Sequence, residues 1–119
     1  MVMLGGAVGS LLRYVLGTAI MGRVGGVFPM GTVFINISGS FLIGFLMTLW
    51  TGPIQPHPNW RFLIIVGFLG GYTTFSALEW ETLALVENGG RALALLNLFG
   101  SVVLGYIAVW LGAIAAGKR

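Results

Sequence analysis

Ten consecutive residues, Gly67-Phe68-Leu69-Gly70-Gly71-Tyr72-Thr73-Thr74-Phe75-Ser76, constrain this chain more than any other stretch. They lie inside a long apolar run, yet three glycines, a tyrosine and two β-branched threonines are poor helix formers. In hydrocarbon, backbone N–H and C=O groups must find partners within the protein. Non-helical backbone therefore survives at membrane depth only where it is buried or lines a cavity. Interrupted helices of that kind form ion and substrate sites in transporters. The segment predicts a chain that binds or moves an ion.

Composition sets the frame around this segment. The 119 residues are 57% hydrophobic and only 8% charged, with a mean hydropathy of +0.98. Such a chain reads as an all-α integral membrane protein. A spanning helix takes about 20 apolar residues, so four spans leave no room for a soluble catalytic module. They are expected over residues 3–21, 30–50, 60–86 (the interrupted one) and 92–116, as one membrane domain over 1–119. The connections carry turn residues: Gly22 to Gly26, Gly52-Pro53 through Asn59, and Glu87 to Arg91. Trp50, Trp60 and Trp80 suit interface anchors. With no cysteine, disulfides, thiolate chemistry and iron–sulfur ligation are excluded. The net charge of +3 does not point to nucleic acid, because no basic cluster exists beyond Lys118-Arg119. The start, Met1 to Ala7, lacks a basic leader region, so the first span is expected to be retained.

Loop charges do not choose an orientation. Arg61, Lys118 and Arg119 fall on one side, Arg23 and Arg91 on the other, three against two. Either the counts of so small a protein are noise, or the chain inserts both ways and pairs with its own inverted copy. Size favours the second reading, since four short helices enclose little and a pathway then needs a dimer.

Small and polar residues recur at helical spacing. Thr32, Asn36, Ser40, Gly44 and Thr48 do so on the second span, and Asn97, Ser101 and Gly105 on the fourth. Gly5, Gly9, Arg13 and Gly17 repeat it on the first. Such stripes are the usual way membrane helices approach one another. The asparagines carry more, because a side-chain amide is costly in hydrocarbon without partners. Asn36 and Asn97 serve either as interhelical glue or as donors that partly replace an ion's water shell.

Arg13 sits near the middle of the first span, where a charge costs about 2.5–3.5 kcal/mol on insertion scales. It either snorkels to an interface or faces a wet vestibule and attracts anions. Glu79 and Glu81 follow the interruption, and Glu79 in particular reads as a residue near water. Spans one, two and four contain no acid, which argues against a proton relay. His57 lies in a Pro-rich loop, and no hydrolase triad, paired-histidine or carboxylate-dyad arrangement exists, so the chain is not expected to be an enzyme. Phe75 follows the threonine pair directly. An aromatic ring has a positive edge, so it can face an anion without adding a competing charge.

These residues resemble the small bacterial fluoride channels of the Fluc, or CrcB, family. The likeness runs from Gly5-Gly6-Ala7-Val8-Gly9 with Arg13, through Gly31-Thr32, Asn36, Gly39, Ser40 and Phe41. It continues through the 67–76 segment to Asn97-Leu98-Phe99-Gly100-Ser101, Gly105 and Gly112. The resemblance implies an antiparallel, dual-topology dimer in the bacterial plasma membrane, with a broken third helix and two pores that passively export fluoride. It implies a structural sodium ion (Na+) at the dimer interface, held by backbone carbonyls at Gly70 and Thr73. Phe75, Asn36 and Ser101 match pore positions, Thr32 and Ser76 match more loosely, and Arg13 matches the vestibule arginine. Two positions depart from the pattern. The second pore phenylalanine falls on Leu78, and Asn97 stands where several members carry tyrosine. Leu78 lacks an aromatic edge, which points to a slower pore, to other donors, or to a paralogous partner subunit in place of an identical one. A small proton-coupled multidrug-type exporter shares the size and the inverted dimer. It needs a membrane-embedded acid in the first span, where this chain has only Arg13.

Overall fold

The computed structural model describes residues 1–52 and 54–118. Pro53, in the second expected connection, and Arg119, one of the C-terminal charges, lie outside the described residues. The described residues form helices and connections, with no strand, and contain four helical stretches long and apolar enough to cross a membrane. Helix α1 spans Val2–Val24 and α2 spans Met30–Thr51. The third stretch is composite. A turn, α3 (Pro58–Trp60), leads into a π-helical run, π1 (Arg61–Leu69), and a further turn, α4 (Gly70–Tyr72). After two extended residues it resumes as α5 (Phe75–Glu87), and α6 spans Arg91–Ala115. At 1.5 Å per residue, the 22 residues of α2 measure about 33 Å, enough for a hydrocarbon core of about 30 Å.

Local chemistry sets the ends. Gly25 (φ 68°) stops α1, Gly26 (φ 78°) continues the turn, and Gly89 (φ 80°) turns the chain between α5 and α6. This left-handed backbone costs glycine nothing. His57 caps the third stretch through Nδ1, which accepts from the Asn59 N–H at 3.2 Å, and Pro58 follows at the first helical position. Arg61 Nη2 donates to the Trp50 carbonyl at 2.6 Å, tying the end of α2 to the start of the third stretch. Nothing in the residue pattern of 61–69 separates π from α hydrogen bonding.

The glycine stripes bring backbones into contact. A Cβ at Gly5 or Gly9 would strike the carbonyl of Leu63 or Phe68, so α1 lies directly on π1. Gly44 meets the Val109 backbone and Gly112 the Phe41 backbone, which locks α2 to α6 reciprocally. Between these pairs sits a small core of Ile35, Leu69 and Tyr72, packed by Leu16, Ile43, Leu46 and Phe68. The Tyr72 ring stacks on Phe68 at 5.8 Å, and its hydroxyl meets Ser38 Oγ at 2.9 Å. Much of the outer surface is apolar and uncovered: Tyr106 is 74% and Trp110 58% exposed. In water such a surface would be a liability; in lipid it is the expected one.

Candidate functional site

The centre of the molecule is the two-residue gap between α4 and α5. Thr73 (φ −83°, ψ 155°) and Thr74 (φ −150°, ψ 118°) are both extended, in the region β-branched residues prefer. Helical backbone bonds fail across such a gap, and side chains replace them. Thr74 Oγ1 caps α5 by accepting from Ala77 N–H at 3.3 Å, and Thr73 Oγ1 adds a bond at 3.0 Å to the Leu69 carbonyl, which keeps its helical donor, the Thr73 N–H, at 3.0 Å. Asn36 reaches across from α2 and pairs with both backbone groups of Thr74. Its Oδ1 accepts from Thr74 N–H at 2.8 Å, while its Nδ2 donates to the Thr74 carbonyl at 3.0 Å. From the other side, Arg13 Nε donates to the Gly71 carbonyl at 3.0 Å.

This pattern leaves the Gly70 and Thr73 carbonyls, among those flanking the gap, without the donor a continuous helix would supply. The N–H of Thr74, which would serve Gly70, goes to Asn36, and that of Ala77, which would serve Thr73, goes to Thr74 Oγ1. Among the described residues, no side-chain donor reaches the Gly70 or Thr73 carbonyl. Gly70 is exposed. No group of acidic or histidine side chains among the described residues could hold a metal. Backbone oxygens are the hard-cation ligands this site offers.

Two cavities meet at Thr74, which lines both. One, of about 350 Å³, is bounded by Asn36, Gly70, Thr73, Phe75, Leu78 and Ser101 among others, and no charged residue lines it. Phe75 is 73% exposed beside it, whereas Leu78 is 5% exposed and packed inward. The Ser101 hydroxyl is buried and has no hydrogen-bond partner among the described residues. The second, a cleft of about 930 Å³, is lined by Arg13, Tyr14, Thr18, Thr32, Glu81 and Asn88 with their neighbours. The cleft is polar and charged; the smaller cavity is neutral.

The structure therefore gathers Asn36, Gly70, Thr73, Phe75, Leu78 and Ser101 around one space, and Arg13 and Thr32 around the other. Asn97 and Ser76 lie outside the linings of both. Asn97 is 1% exposed and donates to Thr82 Oγ1 at 3.0 Å, bridging α6 to α5. Ser76 is exposed, its hydroxyl 3.4 Å from Thr74 Oγ1.

Sequence reasoning left Thr82 unmentioned and gave Glu81 no place in the site. Thr82 is the hydroxyl that Asn97 Nδ2 reaches, while Asn97 Oδ1 is buried with no partner among the described residues. Glu81 accepts from Thr32 Oγ1 at 2.8 Å, so this acid faces the cleft. A signal existed for Glu81: residues two apart stand on different sides of a helix, so Glu79 and Glu81 could not both face the same water. Thr82, a hydroxyl among apolar neighbours, carried no such mark.

A four-span helical protein in which a charged cleft and a neutral cavity meet at a gap in one span has the layout of a membrane transport protein. A family model described as "CrcB-like protein, Camphor Resistance (CrcB)" matches residues 1–113. The chain is 60% identical over 118 residues to a protein of Solibacter usitatus named fluoride-specific ion channel FluC, covering 99% of this chain and 97% of that one. It is 44% identical over 117 residues to a protein of the same name in Acidobacterium capsulatum, with 98% and 94% covered. A third relative of that name, in Thermus thermophilus, is 49% identical over 113 residues, with 94% and 89% covered. The chain belongs to the CrcB family.

Proposed function

We propose that this chain is the subunit of a fluoride-selective, passive channel that lets fluoride leave the cell across the bacterial plasma membrane. The observation that carries the reading is the neutral donor set around the gap. The Asn36 amide, the Ser101 hydroxyl and the Phe75 ring share one cavity that no charged side chain lines. Fluoride is small and strongly hydrated, so a selective pore must offer donors in place of water yet hold the ion weakly enough to release it. Fixed cations would trap it. The names of the relatives point to the same ion. A first span with no acid removes the support for a proton-coupled exporter.

The working unit in this reading is an antiparallel dimer of two identical chains. Its support is the uncovered face at the gap, where Phe75 and Gly70 stand exposed on a single chain, together with loop charges that favour neither orientation. The Gly70 and Thr73 carbonyls would hold a sodium ion there. Two oxygens from each of two subunits suit a hard cation, and both have lost their helical donors. When bound, the ion would supply charge that fixes the two gaps against each other. Leu78, buried beside Phe75, would narrow the pore without adding an aromatic edge.

The test is fluoride release from liposomes holding the purified protein, read with a fluoride electrode and compared with chloride. Rapid fluoride release with negligible chloride release is expected. No fluoride release from a well-folded dimer would overturn the homodimeric channel, and restored release with a phenylalanine-bearing relative would assign the function to a mixed dimer.

A further inference from the structure

Arg13 is the one charged residue in the interior of α1, and its position in the cleft invites the view that it attracts anions. Its hydrogen bond says something more specific. In an unbroken helix the Gly71 carbonyl would accept from the N–H of Phe75, four residues on. The extended Thr73–Thr74 pair carries that donor away. The carbonyl is then an orphan at the negative end of a helical segment, where a cationic donor is favoured. Arg13 Nε–H fills the place at 3.0 Å, a bond between residues 58 positions apart. Charge-assisted bonds of this kind are the strong ones.

The neighbours of Arg13 reinforce this placement. A Cβ added to Gly71 would lie 2.7 Å from the Gly6 carbonyl and 3.1 Å from Ser10 Oγ. Gly6, Ser10 and Arg13 follow one another at helical spacing on a single face of α1. That face receives Gly71 closely and closes on its carbonyl with the guanidinium. On the far side of the gap Asn36 of α2 holds Thr74 by both backbone groups. Two helices thus pin the gap at two points three residues apart.

We infer that Arg13 is a positioning residue for permeation: it acts by holding the Gly71 carbonyl, and so the shape of the gap, rather than by drawing anions in through its field. The inference rests on the channel reading. It separates two properties of one side chain, because lysine keeps the charge but has no donor at the Nε position. Its ammonium is a point charge at the end of a longer stem and does not reproduce the planar guanidinium.

Three proteins in liposomes test it: wild type, Arg13→Lys, and Arg13→Gln combined with Thr18→Arg, which returns a cation to the same cleft. Losing a bond to a charged donor changes a population by about tenfold or more. Fluoride release should therefore fall by about tenfold in both variants while the dimer stays assembled by size-exclusion chromatography. Amide exchange in residues 70–78 should accelerate by a similar factor. Release within about twofold of wild type, the range of a substitution that touches nothing, with unchanged exchange in either variant, overturns the inference in favour of an attracting charge.

Salt supplies an arm that needs no variant. The Debye length shrinks from about 30 Å at 0.01 M to about 10 Å at 0.1 M, so an attracting charge makes wild-type release fall severalfold over that range. A positioning residue leaves release unchanged, and a severalfold fall overturns the inference. If the wild type releases no fluoride, the homodimeric channel fails by itself. The exchange measurement then still decides: faster exchange of 70–78 in Arg13→Lys supports the brace, and equal exchange refutes it.

Discussion

Replacing Asn36 with aspartate should all but abolish fluoride release, for two reasons that the structure lets us size separately. The first is mechanical. The new carboxylate still accepts from Thr74 N–H, but it can no longer donate to the Thr74 carbonyl that Asn36 Nδ2 reaches at 3.0 Å. A half-buried carbonyl left without its donor costs about 1–3 kcal/mol, and here it also faces a negative oxygen. The second is electrostatic. The cavity lined by Asn36 has a volume of about 350 Å³, so a sphere of that volume has a radius of about 4.4 Å. Two like charges at that distance repel by about 4 kcal/mol at an effective dielectric constant of about 20. That energy corresponds to nearly three orders of magnitude in anion occupancy. Electrode-monitored release from liposomes should therefore drop by at least about a hundredfold, with the dimer still present. Asn36→Leu separates the causes. It removes the clamp without adding charge, so it should lower the melting temperature of the purified protein more than it lowers occupancy. Release by Asn36→Asp within about threefold of wild type would refute both the clamp and the assignment of Asn36 to the pathway.

Other outcomes follow from the same geometry. Phe75→Ile should slow release by about threefold to tenfold, the scale of one aromatic contact, while leaving folding nearly intact, since the ring is 73% exposed; near-normal release would make it a packing residue. Gly112→Ala should lower the melting temperature clearly, because its Cβ would strike the Phe41 backbone and overpacking costs about 1–3 kcal/mol; an unchanged melting curve would mean α2 and α6 are looser than described. Thr32→Val should destabilise the protein by about 1.5–3 kcal/mol through the lost bond to Glu81, read by thermal unfolding in detergent. Dialysis against buffer with N-methylglucamine in place of sodium should lower the melting temperature of the dimer, with sodium restoring it; indifference to sodium would remove the ion from Gly70 and Thr73.

Much of this protein is legible in its residues. Apolar runs of about 20 residues must cross a membrane, because burying so much hydrocarbon any other way would need a larger core than 119 residues provide. Glycines four apart on α1 mark where backbones touch, because only a missing Cβ permits that approach. Within the 67–76 run only Thr73 and Thr74 leave the helix, while Gly67 to Tyr72 and Phe75-Ser76 stay helical, so the residue pattern marked a longer interruption than the structure contains. The motif also led to the family.

What the sequence could not supply is who satisfies whom. Asn36 and Thr74 are 38 residues apart, Thr32 and Glu81 are 49, and Arg13 and Gly71 are 58. Periodicity is a local property and cannot select a partner across a bundle. It showed Arg13 as a costly charge and Asn36 as a costly amide, each open to two readings. Only the packing of α1 and α2 on either side of the gap turned those two liabilities into its fastenings. The reason lies in the backbone. A gap in a membrane helix frees N–H and C=O groups that hydrocarbon cannot satisfy, and only side chains arriving from other helices can replace the bonds it breaks.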